Sequence, residues 1–202
     1  MAKFIVFEGM DGSGKTTQIS RVAESLQNCG YKIVSTREPG GTRIGEKIRE
    51  ILLDPGNLEL DERAEALLYA AARAQHVREI IRPALEAGKT VLCDRFCAST
   101  LAYQGYGRGI DLDFLQEVNQ LATGGLTPDL TLLFDISPAE GLSRVHKFRD
   151  GDRLEQEHGG FYRKVRQGYL ELAEEEGMRV IDAGNPLNEV YNKVYSIIKG
   201  IL

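Results

Sequence analysis

Residues Gly9-Met10-Asp11-Gly12-Ser13-Gly14-Lys15-Thr16 set two glycines five positions apart and end on Lys-Thr. That spacing suits a phosphate cradle. Glycines let successive backbone N–H groups turn inward around phosphate oxygens. A helix beginning at the lysine adds the positive end of its dipole. Lys15 brings a point charge to the β- and γ-phosphates, and the Thr16 hydroxyl can ligate Mg²⁺. Thr17 continues the same turn. The segment follows an apolar run, Phe4–Phe7, and precedes a helical pattern, the context this motif requires. Nucleoside triphosphate binding follows. Asp11 stands out, because phosphates repel a carboxylate placed among them. Its side chain is expected on a local backbone N–H in an Asx-type turn, or on a second ligand beside the nucleotide.

Other residues supply further chemistry. Tyr69 and Arg73 lie four apart and project from one helix face, either as an aromatic and guanidinium platform for a base or as a core ring beside a solvated charge. Asp94-Arg95 follows the apolar Val91-Leu92-Cys93, at the strand end where open parallel sheets bind ligands. Asp94 there can hold Mg²⁺ through water or orient Arg95, and the planar fork of Arg95 suits phosphate. Arg49 reads as a phosphate contact or an exposed helix residue. Arg144, Lys147, Arg149 and Arg153 concentrate positive charge in an otherwise acidic chain. The guanine-reading Asn-Lys-x-Asp is lacking, since Asn192-Lys193 is followed by Val194-Tyr195.

These residues need elements to position them. Short strands are predicted at 4–7, 33–35, 90–93, 130–134 and 180–181, and helices at 15–27, 44–53, 61–85, 114–121, 138–145, 160–176 and 187–198. Pro83 is expected to kink or restart the long third helix. The β-α alternation implies a parallel sheet with helices on both faces.

Composition narrows the classes. The 202 residues carry 25 Lys+Arg against 30 Asp+Glu, a formal net charge of −5, which disfavours binding of long nucleic acid. Apolar runs are far too short for a membrane span or a signal-peptide core. Three cysteines without a Cys-x-x-Cys, and three scattered histidines, fit a reduced cytoplasmic protein without a zinc site. Glycine is enriched, at 22 residues, which marks loops that approach a ligand closely.

Several segments together resemble the thymidylate kinase family: Glu8–Thr17, Thr36-Arg37-Glu38-Pro39-Gly40-Gly41-Thr42, Tyr69–His76, Asp94–Gly105 and Asp152-Arg153-Leu154-Glu155. The resemblance spans the chain. It implies a P-loop NTPase fold with a five-stranded parallel sheet flanked by helices. It also implies a single nucleoside monophosphate kinase domain over residues 1–202, with a small lid at about 146–155. It implies transfer of a phosphoryl group from Mg-ATP to dTMP in a cytoplasmic homodimer. ATP would lie on Gly9, Met10, Asp11, Gly12, Ser13, Gly14, Lys15, Thr16 and Thr17. The acceptor dTMP would meet Asp11, Arg37, Glu38, Pro39, Arg49, Tyr69, Arg73, Arg95, Ser99, Thr100, Tyr103 and Gln104. Tyr69 would stack on thymine, Arg73 bond its edge, and Tyr103 crowd the 2′ position. Thr16 and Asp94 would hold the metal, and the loop Asp182–Pro186 would flank adenine. Glu38-Pro39 resembles a loop that often holds a cis bond. Gly12 occupies a position where some members carry an arginine. Members without that arginine supply it from the lid, so Arg149 or Arg153 joins Lys15 and Arg95 as catalytic. Another nucleoside monophosphate kinase, or a P-loop regulatory ATPase, are the competing readings.

Overall fold

The computed structural model describes residues 1–145, 153, 154, 157 and 159–202. Most of the expected lid at 146–155, Arg149 included, lies outside the described residues.

Five strands form one parallel sheet: β1 (Phe4–Glu8), β2 (Ile33–Arg37), β3 (Thr90–Asp94), β4 (Leu130–Asp135) and β5 (Arg179–Asp182), in the order β2-β3-β1-β4-β5. The central β1 is buried along its whole length. Alternate side chains serve two apolar layers: Ile5 and Phe7 join one, Phe4 and Val6 the other. Both faces are therefore covered, which explains a run without polar alternation. Each strand extends one or more residues past its apolar run to a charged residue: Glu8, Arg37, Asp94, Asp135 and Asp182. Five charged side chains thus gather along the carboxyl edge of the sheet.

The helices are α1 (Lys15–Asn28), α2 (Arg43–Leu53), α3 (Glu62–His76), α4 (Arg82–Glu86), α5 (Cys97–Thr100), α6 (Leu112–Thr123), α7 (Pro138–Val145), α8 (Gly159–Glu175) and α9 (Leu187–Lys199). Thr42, Asp61 and Asp111 cap α2, α3 and α6 through their side-chain oxygens.

The helix expected over 61–85 is broken, and not by a simple kink at Pro83. A π-helical turn, Val77–Ile81, intervenes, in which the Arg82 amide donates to the Val77 carbonyl. Proline has no N–H and crowds the carbonyl four residues back. Widening the preceding turn relieves that conflict and places Pro83 in the first turn of α4, where proline is tolerated. A second π-helical turn, Leu101–Gly107, continues α5. It carries Tyr103 and Gln104. Such turns recur at functional sites.

Candidate active site

The loop from β1 to α1 wraps the phosphate cradle. Gly9 has φ +133°, and a Cβ there would stand 2.4 Å from the Phe134 carbonyl oxygen. Gly12 has φ +75°, and a Cβ there would fall 2.1 Å from the Gly141 oxygen. No side chain fits at residue 12 without displacing α7. Lys15 begins α1 with its Nζ 2.9 Å from both the Gly9 and Met10 carbonyl oxygens and 3.3 Å from Ser13 Oγ. Burial and the neighbouring Arg95 lower its pKa to about 8. The Thr16 hydroxyl donates to Asp94 Oδ2 at 2.6 Å. Asp94 therefore sits on Thr16, with no direct hydrogen bond to Arg95 but with its charge acting on that guanidinium. The two oxygen donors expected for a metal do lie together.

Asp11 is not held in an Asx-type turn; it lines both clefts described below. Its carboxylate accepts from Arg95 Nη2 at 2.8 Å and from the Tyr103 hydroxyl at 3.2 Å. Burial would raise its pKa, but Arg95 and Lys15 outweigh burial and bring it to about 2. Arg95 is the structure's answer to the carboxylate in the cradle: a cation beside it removes the conflict with phosphate. Arg95 itself has φ +70°, the left-handed region, immediately after β3. That turn swings its side chain between the two clefts described below.

Arg95 is clamped from several directions. Its Nη1 donates to Ser99 Oγ and to the Tyr169 hydroxyl, both at 3.2 Å, and its guanidinium lies 5.2 Å from the Tyr103 ring centroid. Beneath it, fully buried Glu8 accepts from Phe96 N at 2.8 Å, Ser99 N at 3.2 Å, Ser99 Oγ at 2.6 Å and Tyr169 Oη at 3.2 Å. Burial raises the Glu8 pKa against those donors. The sequence reading assigned Glu8 and Tyr169 no role of their own. Glu8 stands only as the first residue of the Glu8–Thr17 segment, and Tyr169 as part of a charged helix. Phe161, Val165 and Tyr169 recur at intervals of four and are buried, the one available signal that α8 turns an aromatic face inward.

Two clefts meet at Arg95. One is lined by Gly12, Gly14, Lys15, Thr16, Thr17 and Arg144. The other is lined by Leu53, Tyr69, Ser99, Thr100, Tyr103, Gln104 and Leu154. Asp11, Glu38, Arg49 and Arg95 line both. Arg49 is thus a cleft residue, with Nη1 3.0 Å from the Pro39 carbonyl oxygen. Burial and the nearby Arg37 lower its pKa. The Glu38-Pro39 bond is cis. Arg37 stands at the cradle cleft, where it is half-exposed and donates from Nη2 to both carboxylate oxygens of Glu46. Arg144 bonds the carbonyls of Gly12 and Ala183, which ties the cradle to the loop Asp182–Pro186.

Arg73 is neither a solvated charge nor part of the cleft lining. It is 1% exposed and donates to Glu38, Thr100, Asn119 and the Phe96 carbonyl. Glu38 is further bonded to His76, whose other ring nitrogen meets Thr36. Arg73 therefore braces the cleft wall from behind. Arg73→Leu would leave Glu38 buried without its guanidinium, and breaking such a pair costs about 3–5 kcal/mol. A thermal melt of the ligand-free protein should fall by about 6–20 °C at this chain length. An unchanged melt would show the pair to be dispensable.

Arg153 lies on the acceptor side. It is buried, with Nε on the Leu52 carbonyl at 2.9 Å and Nη2 paired to Glu65. A buried guanidinium needs an anion, and Glu65 is fully buried at that spot. The cradle and Arg153 are not brought together in this arrangement.

A P-loop kinase layout with a second cleft across an arginine narrows the families, and comparison decides among them. A family model described as thymidylate kinase matches residues 7–194. The chain belongs to the thymidylate kinase family. The thymidylate kinase of Pelotomaculum thermopropionicum is 54% identical over 203 residues, covering 99% of this chain and 94% of that protein. That of Syntrophotalea carbinolica is 52% identical, covering 96% and 94%. The crystal structure of thymidylate kinase from Ehrlichia chaffeensis superposes with a TM-score of 0.80 at 36% identity, covering 98% of each chain. The family's P-loop NTPase fold accounts for the strand order and the position of the cradle.

Proposed function

We propose that this chain phosphorylates dTMP to dTDP with ATP, and that the two clefts meeting at Arg95 hold acceptor and donor. The observation that carries this reading is that Arg95 and Arg49 line both clefts at once. One guanidinium pair then faces the acceptor phosphate where it meets the γ-phosphate in the cradle. The thymine lies at the far end, against Tyr69, Thr100 and Gln104. The buried Tyr103 hydroxyl, fixed on Asp11, leaves little room for a 2′-hydroxyl on the sugar.

An oxygen of the dTMP phosphate attacks the γ-phosphorus in line. A new P–O bond forms as the bond to the β-bridging oxygen breaks, releasing ADP. That acceptor oxygen is already ionised at neutral pH, so no general base is required. Catalysis consists of positioning and charge neutralisation. Lys15 and the backbone amides of residues 9–17 hold the triphosphate, and Arg95 and Arg49 offset the charge of two phosphates brought together. Of the lid arginines, Arg153 is committed to Glu65, which favours Arg149 as the one meeting the transferring group.

The Thr16 hydroxyl and the Asp94 carboxylate, 2.6 Å apart, are hard oxygen donors of the kind that suits Mg²⁺. Magnesium bound there would neutralise phosphate charge. Among the described residues no helix is long and apolar enough to cross a membrane. The family resemblance supports a cytoplasmic homodimer of single-domain chains.

The test is ADP release with dTMP, dUMP, dCMP, dGMP and UMP as acceptors. We expect the highest kcat/KM for dTMP. A preference for another monophosphate would replace the substrate, and ATP hydrolysis indifferent to all five would point to a regulatory ATPase.

A further inference from the structure

Glu65 sits on α3, one turn before Tyr69, and is fully buried. Nothing in the phosphoryl-transfer scheme requires it. Its Oε1 accepts from Gln104 Nε2 at 2.8 Å and from Arg108 Nε at 3.5 Å. Its Oε2 accepts from Arg108 Nη2 at 3.3 Å and pairs with Arg153 Nη2. Arg108 is also paired with Glu157. Both carboxylate oxygens of Glu65 thus face only N–H donors, from two guanidiniums and one amide.

That fixes the side chain touching it. The amide of Gln104 has a donor end and an acceptor end of nearly equal shape. Turned the other way, its carbonyl oxygen would face an anion and lose a charge-assisted hydrogen bond. Glu65 therefore holds the NH₂ group inward, and the carbonyl oxygen is the end left for the cleft that Gln104 lines. Across the same wall the sign reverses. Arg73 donates to Thr100 Oγ1 at 3.0 Å, so the Thr100 hydroxyl hydrogen must point away from that cation. Buried charges behind the wall thus dictate which polar atoms the wall displays.

We propose that Glu65 is a specificity-determining positioning residue: through Gln104 it presents an acceptor to the base edge and so selects pyrimidines carrying N3–H. Thymine and uracil carry that donor. Cytosine has a bare N3, and its lone pair would face the Gln104 carbonyl oxygen. The selection works as much by mismatch as by attraction, because a wrong base leaves a buried acceptor unpaired. Arg153 and Leu154 extend the effect. The ion pair to Glu65 anchors residue 153, and its neighbour Leu154 lines the same cleft.

This inference rests on the dTMP reading, and the experiment separates the two. Steady-state kcat/KM is measured for dTMP, dUMP and dCMP with the wild-type chain, Glu65→Gln and Glu65→Asp. dUMP and dCMP differ only at the base edge, and dTMP and dUMP only in the 5-methyl group. We expect Glu65→Gln to reduce the dUMP:dCMP ratio about tenfold, mainly through KM, and to leave the dTMP:dUMP ratio unchanged. The neutral amide that replaces the carboxylate can accept or donate, so Gln104 is free to turn. If a melt shows that Glu65→Gln does not fold, Glu65→Asp serves instead. It keeps the charge beside both guanidiniums but withdraws it from Gln104 by one methylene, and the same narrowing is expected. All three acceptors falling by a common factor, or a dUMP:dCMP ratio that does not move in a folded variant, overturns the inference. A wild-type chain with no preference for dTMP overturns the substrate reading instead, whatever the variants do.

Discussion

Lys15→Ala should abolish turnover, with kcat/KM for ATP falling by about 10³-fold or more. Its ammonium is held on the Gly9 and Met10 carbonyls at the inner wall of the cradle, which fixes its charge beside the phosphate site. Alanine at this position keeps the helix and removes the charge. Full activity in Lys15→Ala would refute the assignment of the cradle. The pH dependence supplies a second check. Burial and Arg95 bring the Lys15 pKa to about 8, from 10.5 in an unfolded chain. Above pH 8 the free protein loses this charge, so kcat/KM for ATP should decline along an alkaline limb near that value. Stability should move the other way. Between about pH 8 and 10.5 the unfolded chain binds more protons at this site than the folded one, so this site's contribution to stability rises with pH. Below pH 8 the cost of burying the ammonium is present in full. A melting series in Lys15→Met should lack that alkaline rise.

How much of this could be read beforehand depends on whether the signal is local. The cradle was legible because a phosphate loop needs glycines, a lysine and a threonine within eight consecutive residues. All five strands were legible as β-branched apolar runs, and each was placed one or more residues short. The reason is shared: Glu8, Arg37, Asp94, Asp135 and Asp182 are polar, and polarity read as a boundary although the backbone continues pairing to the sheet edge. Interactions set by distant residues were not legible. The partner of Asp11 is Arg95, 84 positions away, and no local rule for carboxylates points there. Arg73 read as solvated or ligand-facing because a guanidinium is rarely buried without partners. Four of them come together only when α3, α5, α6, the turn at Phe96 and the loop at Glu38 are assembled. Glu65 illustrates the same limit. On a helix wheel it is an ordinary acidic residue in a first turn, and only tertiary packing encloses it with Arg108, Arg153 and Gln104.

Arg95→Met should reduce kcat/KM for dTMP by about 10³-fold, more than loss of one phosphate contact explains. The excess comes from Asp11. In the native arrangement the Asp11 carboxylate is tolerated beside phosphate because Arg95 neutralises it at 2.8 Å. Methionine fills much of the volume but leaves that carboxylate facing the acceptor phosphate and the γ-phosphate together. Arg95→Met thus removes an attraction and exposes a repulsion. The double variant Asp11→Asn/Arg95→Met separates the two. Asparagine keeps the shape and a hydrogen bond to Tyr103 while removing the charge, so the double variant should be about tenfold more active than Arg95→Met alone. Asp11→Asn by itself should be mildly impaired, because Arg95 then loses one of the contacts that hold it between the clefts. This ordering cannot arise if Arg95 acts only as an independent phosphate ligand, since the two substitutions would then add. A loss below about tenfold in Arg95→Met would be too small for a transition-state donor and would remove Arg95 from the phosphoryl-transfer site. A double variant no better than Arg95→Met would retain Arg95 in the site but show that its pairing with Asp11 is structural, and that the cradle tolerates the carboxylate for another reason.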